Sequence, residues 1–108
     1  MTKMYNCIIV DDEPLAVKVI KGYVDRTPQL ALTGTCHGAM EAFHLVQNEV
    51  IDLIFLDIEM PELSGLDLAK SLPSSPKVIF TTAHRDYAIE SYELDVVDYL
   101  LKPISFQR

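Results

Sequence analysis

Two four-residue runs, Cys7-Ile8-Ile9-Val10 and Leu53-Ile54-Phe55-Leu56, are apolar at every position. A strand with one wet face alternates apolar with polar residues, so a short run that never alternates has to be covered on both sides. Such strands belong in the middle of a sheet with helices above and below. The rest of the chain supplies both kinds of element. Short apolar or β-branched runs recur at Tyr5 to Val10, Leu30 to Cys36, Ile51 to Leu56, Lys77 to Thr81 and Val96 to Leu101. Between them lie stripes at helical spacing: Leu15, Ala16, Val19, Ile20 and Tyr23, then Ala39, Ala42, Phe43 and Val46, then Gly65, Leu68, Ala69 and Leu72. Ala88, Ile89 and Tyr92 make a shorter fourth stripe. Pro14 suits the first turn of the first helix, where a missing N–H costs nothing, and Pro73 with Pro76 closes the third. Strand and helix alternating at this spacing predict an α/β fold with a mostly parallel sheet. No repeat or linker divides residues 1–108, so one domain is expected.

Hydrophobic residues make up 49% of the 108, enough for a core and too many for a disordered chain. The net charge of -7 argues against a nucleic-acid surface, which needs clustered Lys and Arg. No apolar run approaches the ~18–20 residues of a membrane span, and Met1-Thr2-Lys3-Met4 opens no signal-peptide core. No membrane partner is expected. Cys7 and Cys36 lack CxxC or His-ligand spacing and read as small buried residues in a reducing cytoplasm.

Both continuous runs end in acid: Asp11-Asp12-Glu13 after the first and Asp57-Ile58-Glu59 after the other. In an open parallel sheet, ligands bind beyond the carboxyl ends of the strands at a topological switch point. If the two strands are neighbours, Asp11, Asp12 and Asp57 converge. Three carboxylates that close repel one another and call for a compensating cation. A hard oxygen donor set on few side chains suits Mg²⁺. The acidic pair alone reads equally well as a cap, with Asp12 or Glu13 before Pro14 as the N-cap of the first helix. Asp57 alone reads as a solvated loop residue. The coincidence at the ends of the two most apolar strands is what favours a site. Two further strands end in suitable polar groups, Thr81-Thr82-Ala83 and Leu101-Lys102-Pro103. Together they set a hydroxyl and an ammonium beside the carboxylates, as a phosphoryl group on Asp57 would require.

As a set, these residues resemble the response-regulator receiver domain of two-component signalling. The resemblance rests on Asp11-Asp12, on Leu56-Asp57-Ile58-Glu59-Met60-Pro61 with Gly65, on Thr82-Ala83, and on Tyr99 with Lys102-Pro103. It covers the chain from about Lys3 to Pro103. The stretch Glu93 to Ile104 further resembles the subfamily whose receivers precede a LytTR-type DNA-binding domain. The resemblance implies a flavodoxin-like, doubly wound sheet of five parallel strands in the order 2-1-3-4-5.

It also implies roles. Asp57 would accept a phosphoryl group from the phosphohistidine of a sensor histidine kinase. Asp12 and Asp57 would ligate Mg²⁺ directly with the backbone carbonyl of Glu59, and Asp11 through water. Lys102 would pair with a phosphoryl oxygen, and the Lys102–Pro103 peptide would be cis. Thr82 would turn its hydroxyl onto the phosphate, preferred to Thr81 because Ala83 follows it and Thr81 continues the strand. Tyr99, which as a lone strand residue reads as core packing, would then move inward. Gly65 permits a tight turn or close packing at the third helix. Such a domain is no dedicated enzyme, although it assists its own phosphotransfer and autodephosphorylation. Its partners would be the kinase and a second copy, joined through the fourth helix and fifth strand around Tyr87, Glu90, Ser91 and Asp95. Nucleic acid would be reached only through an output domain that this stretch does not include.

Two positions are individual to this chain. Glu59 and His84 lie two residues beyond Asp57 and Thr82 and are candidates for tuning the lifetime of the acyl phosphate; His37 and His44 have no such placement. A receiver ends in a fifth helix, whereas only Ile104 to Arg108 follow Lys102-Pro103. The sequence therefore reads as a receiver cut near the start of its final helix, with apolar sheet uncovered and association favoured. Two other readings stay open: a Mg²⁺-dependent aspartyl-phosphate phosphohydrolase, whose Asp-x-Asp motif Asp57-Ile58-Glu59 weakly mimics, and a pseudo-receiver that only binds.

Overall fold

The computed structural model describes residues 4–60, 64–72, 76–82 and 96–101, the last by backbone alone. Five strands and three helices follow one another as β1 (Tyr5–Val10), α1 (Pro14–Asp25), β2 (Leu30–Cys36), α2 (Ala39–Asn48), β3 (Leu53–Asp57), α3 (Gly65–Ser71), β4 (Lys77–Thr82) and β5 (Val96–Leu101). All neighbouring strands are parallel, in the order β2-β1-β3-β4-β5. This is the doubly wound, flavodoxin-like order that the resemblance implies.

The two continuous apolar runs are covered on both faces. Ile8, Val10, Ile54 and Leu56 join one core with Ala39 and Ala42 of α2 and Leu68 of α3. Cys7 and Ile9 join a second with Ile20 and Val24 of α1, against which Leu53 and Phe55 pack. Period-two alternation along each strand thus feeds two separate cores, which is why neither run contains a polar residue.

Local departures from the sequence reading have physical causes. Leu15 is 73% exposed, and the buried side of α1 is Val17, Ile20 and Val24. Five residues separate Leu15 from Ile20, which at 3.6 residues per turn puts them about 140° apart on the helix. β3 begins at Leu53 rather than Ile51, because the side chain of Asp52 takes a strand N–H on β1. The Asp52 N–H donates to the Asn6 carbonyl at 2.8 Å, and its carboxylate accepts the Asn6 N–H at 2.8 Å. β4 runs one residue further than expected, through Thr82, which pairs with Leu101. Thr33 is an extra residue in β2, where the register slips between Cys7–Leu32 and Ile8–Gly34. β2 lies at the sheet edge, where such a bulge opposes pairing with another chain. Among the described residues, no helix is long and apolar enough to cross a membrane.

Candidate functional site

β1 and β3 lie side by side with Val10 level with Leu56, so one step on Asp11 falls level with Asp57. The strand order reverses here: β1 is followed in sequence by β2 on one side, and β3 lies on the other. This is the crevice in which doubly wound sheets bind ligands. One carboxylate oxygen from each of Asp11, Asp12 and Asp57 lies within 4.8 Å of the others. Asp11 and Asp57 are buried and Asp12 is exposed, so the cluster opens to solvent on one side.

The two loops that carry these acids are built alike. Asp11 Oδ1 accepts the Glu13 N–H at 2.9 Å, and Asp57 Oδ1 accepts the Glu59 N–H at 3.1 Å. Each aspartate closes an Asx turn over the residue two further on, a short-range bond these side chains make readily. The N-cap alternative is settled by the same geometry. Glu13 occupies the N-cap of α1 with no side-chain bond to the helix, Pro14 opens the first turn, and Asp11 serves the turn before it. Asp57, at 2% exposure, is no solvated loop residue.

The loop after β3 is pinned from two sides. The Ile58 N–H donates to the Thr81 carbonyl at 3.0 Å, extending the β3–β4 ladder past Asp57. The Gly65 N–H donates to the Ile58 carbonyl at 2.7 Å, bringing the start of α3 onto the loop. α3 starts there because Ser64 caps it, its Oγ accepting the Asp67 N–H at 3.1 Å. Of the two roles considered for Gly65, close packing is the one observed. A β-carbon there would overlap the Asp57 carbonyl oxygen and stand 2.9 Å from Ile58 Cα.

Thr81 and Thr82 both lie in β4 and are both buried, so being on the strand does not distinguish them. Their hydroxyls do. Thr82 Oγ1 donates to Glu59 Oε1 at 3.3 Å, whereas Thr81 Oγ1 has no hydrogen-bond partner among the described residues. Sequence reasoning placed Glu59 and Thr82 near the same centre but missed this contact. It depends on the β3–β4 register, which aligns Asp57 with Thr81, and nothing local to either residue signals it.

Tyr99 lies on β5 level with Phe80, and Leu101, which ends β5, is level with Thr82. His84, Tyr87, Glu90, Ser91, Asp95, Lys102 and Pro103 lie outside the described residues. His37 and His44 are exposed, the latter on α2. Both cysteines are buried, and burial pushes each thiol up to about 11, Glu41 adding to the effect at Cys36.

Residues 7–108 match the family model described as response regulator receiver domain. The transcriptional regulatory protein BtsR of Escherichia coli K12 is 38% identical over 107 residues, covering 97% of this chain and 45% of that protein. The chain therefore spans about 45% of the length of this relative. The response regulatory domain of mrkE from Klebsiella pneumoniae superposes with a TM-score of 0.87 at 33% identity, covering 95% of this chain and 87% of the other. The receiver domain of AraT from Geobacillus stearothermophilus gives 0.88 at 30% identity, covering 97% and 86%.

Proposed function

The chain belongs to the response-regulator receiver family, and from that premise we propose that it is a phosphorylation-controlled switch with Asp57 as the phosphoacceptor. The observation that carries the reading is the convergence of Asp11, Asp12 and Asp57 within 4.8 Å at the ends of two adjacent strands. Three hard oxygen donors of like charge, one of them exposed, fit a divalent cation that keeps part of its water. Asp12 and Asp57 would hold Mg²⁺ directly with the Glu59 carbonyl, and Asp11 through water. When bound, Mg²⁺ offsets the carboxylate repulsion and the charge of the incoming phosphoryl group.

The residues around it position and stabilise. The Asp57 carboxylate forms the new O–P bond as the P–N bond of a sensor kinase phosphohistidine breaks, and the imidazole leaves with the bonding pair. The Asx turns fix the carboxylates for in-line approach. Lys102, directly after β5, would pair with a phosphoryl oxygen, and Thr82 would donate its hydroxyl proton to another. Tyr99 would move inward behind it and pass the change to the surface around β5. A domain that is one part of a longer regulator would in this way control a transcriptional output, as the name of the Escherichia coli relative suggests. The wording of residues 93–104 favours a LytTR-type output domain.

Incubation with Mg²⁺ and a small acyl phosphate tests the reading. A single phosphoryl group on Asp57, absent from Asp57→Asn, is expected. Steady turnover of unrelated phosphate esters would instead make the protein a phosphohydrolase. No uptake would leave only a binding module.

A further inference from the structure

The Thr82 side chain is fully buried, while Glu59, which accepts its hydroxyl, is exposed between the buried residues Ile58 and Met60. A carboxylate carries no proton, so the hydrogen in this bond is the one that Thr82 owns. A hydroxyl has a single proton to give. If Thr82 is to donate to a phosphoryl oxygen on Asp57, it has to leave Glu59 first. We propose that Glu59 is a latch that holds the Thr82 hydroxyl in the unphosphorylated state, so that its release is part of the switching step. The proposal rests on the phosphoacceptor reading of Asp57 and adds what that reading lacks, a specific contact opposing activation.

Three features make the latch effective yet breakable. The Glu59 backbone is fixed by the turn onto Asp57 Oδ1, so its side chain starts from a defined place. Thr82 is aligned by the β3–β4 register, which sets Asp57 level with Thr81. The bond itself is long at 3.3 Å, compared with ~2.7–2.8 Å for a strong O–H···O contact, so a phosphoryl oxygen can outcompete it. A ligand shifts a two-state element only by the difference in its affinity for the two states. Glu59 subtracts from that difference by stabilising the resting state alone. This is a positioning role acting through Thr82, distinct from control of an attacking water.

Binding of beryllofluoride in the presence of Mg²⁺, which mimics a phosphoryl group on a carboxylate, separates the alternatives in a double-mutant cycle. Glu59→Ala is expected to tighten binding about three- to tenfold, the range for losing one ordinary hydrogen bond, since the long contact falls short of a full charge-assisted one. Thr82→Val, similar in shape and lacking the hydroxyl, is expected to abolish most of that gain, so that Glu59→Ala adds less than about twofold on top of it. Glu59→Gln keeps an acceptor oxygen and should stay nearer the original protein than Glu59→Ala does. An equal gain from Glu59→Ala with and without the Thr82 hydroxyl would overturn the latch, leaving Glu59 as a repulsive charge only. Failure of the unaltered chain to bind beryllofluoride at all would overturn the phosphoacceptor reading, and the latch with it.

Discussion

Gly65 sets its bare Cα against the backbone of Asp57, so closely that a β-carbon would overlap the Asp57 carbonyl oxygen and lie 2.9 Å from its carbonyl carbon. No flexible side chain is involved, so neither partner can give way cheaply. Gly65→Ala is expected to destabilise the fold by about 1–3 kcal/mol, as over-packing does, and to slow phosphoryl uptake by displacing the loop. Urea unfolding and a phosphorylation time course would check both. Loss of stability with an unchanged rate would show that the packing holds α3 without positioning Asp57.

Gly22 is the contrasting case. It lies inside α1, and a β-carbon there meets nothing within 4 Å. Gly22→Ala should stabilise the protein by about 0.5–1 kcal/mol through the lower entropy of the unfolded chain. Chemical denaturation midpoints would show the gain.

The two threonines at the end of β4 should respond differently to loss of the hydroxyl. Thr81 buries a hydroxyl with no partner among the described residues, so Thr81→Val removes an unsatisfied group and should stabilise by about 1 kcal/mol. Thr82→Val removes a hydroxyl that donates to Glu59 and should give no such gain. Thermal unfolding of the two variants side by side decides the matter.

Burial raises both thiols to about 11, from about 9 in the unfolded chain. Between these values the unfolded chain has lost protons that the folded chain keeps. Stability is then fully present below pH 9 and is lost as pH rises towards 11, by up to roughly 2–3 kcal/mol per cysteine. Replacing Cys7 and Cys36 by Ala should flatten that alkaline slope in unfolding experiments. Alkylation of the native protein at pH 8 should be slow at both sites.

Removing charge from the aspartate cluster should stabilise the protein when no divalent cation is present. Asp57→Asn takes one of three carboxylates lying within 4.8 Å of one another to neutral, relieving repulsion of about 1 kcal/mol or more. The unaltered chain should gain stability on adding Mg²⁺, and Asp57→Asn should gain much less. Melting temperatures with Mg²⁺ and with a chelator would test the pair.

What could be read from the sequence was what repeats or stands in line. The non-alternating runs located β1 and β3, and their terminal acids located the cluster, because strand ends share one edge of a parallel sheet. Leu15 misled because a stripe was counted from the helix start, whereas α1 takes its phase from Ile20 and Val24 against the sheet. Asp52 misled because its carboxylate, 46 positions away in sequence, captures the Asn6 N–H. The Glu59–Thr82 bond spans 23 positions and exists only after β3 and β4 have found their register. Long-range polar contacts of this kind leave no periodic trace in a single sequence.

The twin Asx turns at Asp11 and Asp57 have a thermodynamic consequence. A free aspartate samples several rotamers, and a ligand that needs one of them has to freeze the others out. Here the backbone N–H groups of Glu13 and Glu59 hold both side chains in place before any ligand arrives. The ordering entropy is lost during folding, so an incoming ion or phosphoryl group meets carboxylates that have already given up their freedom.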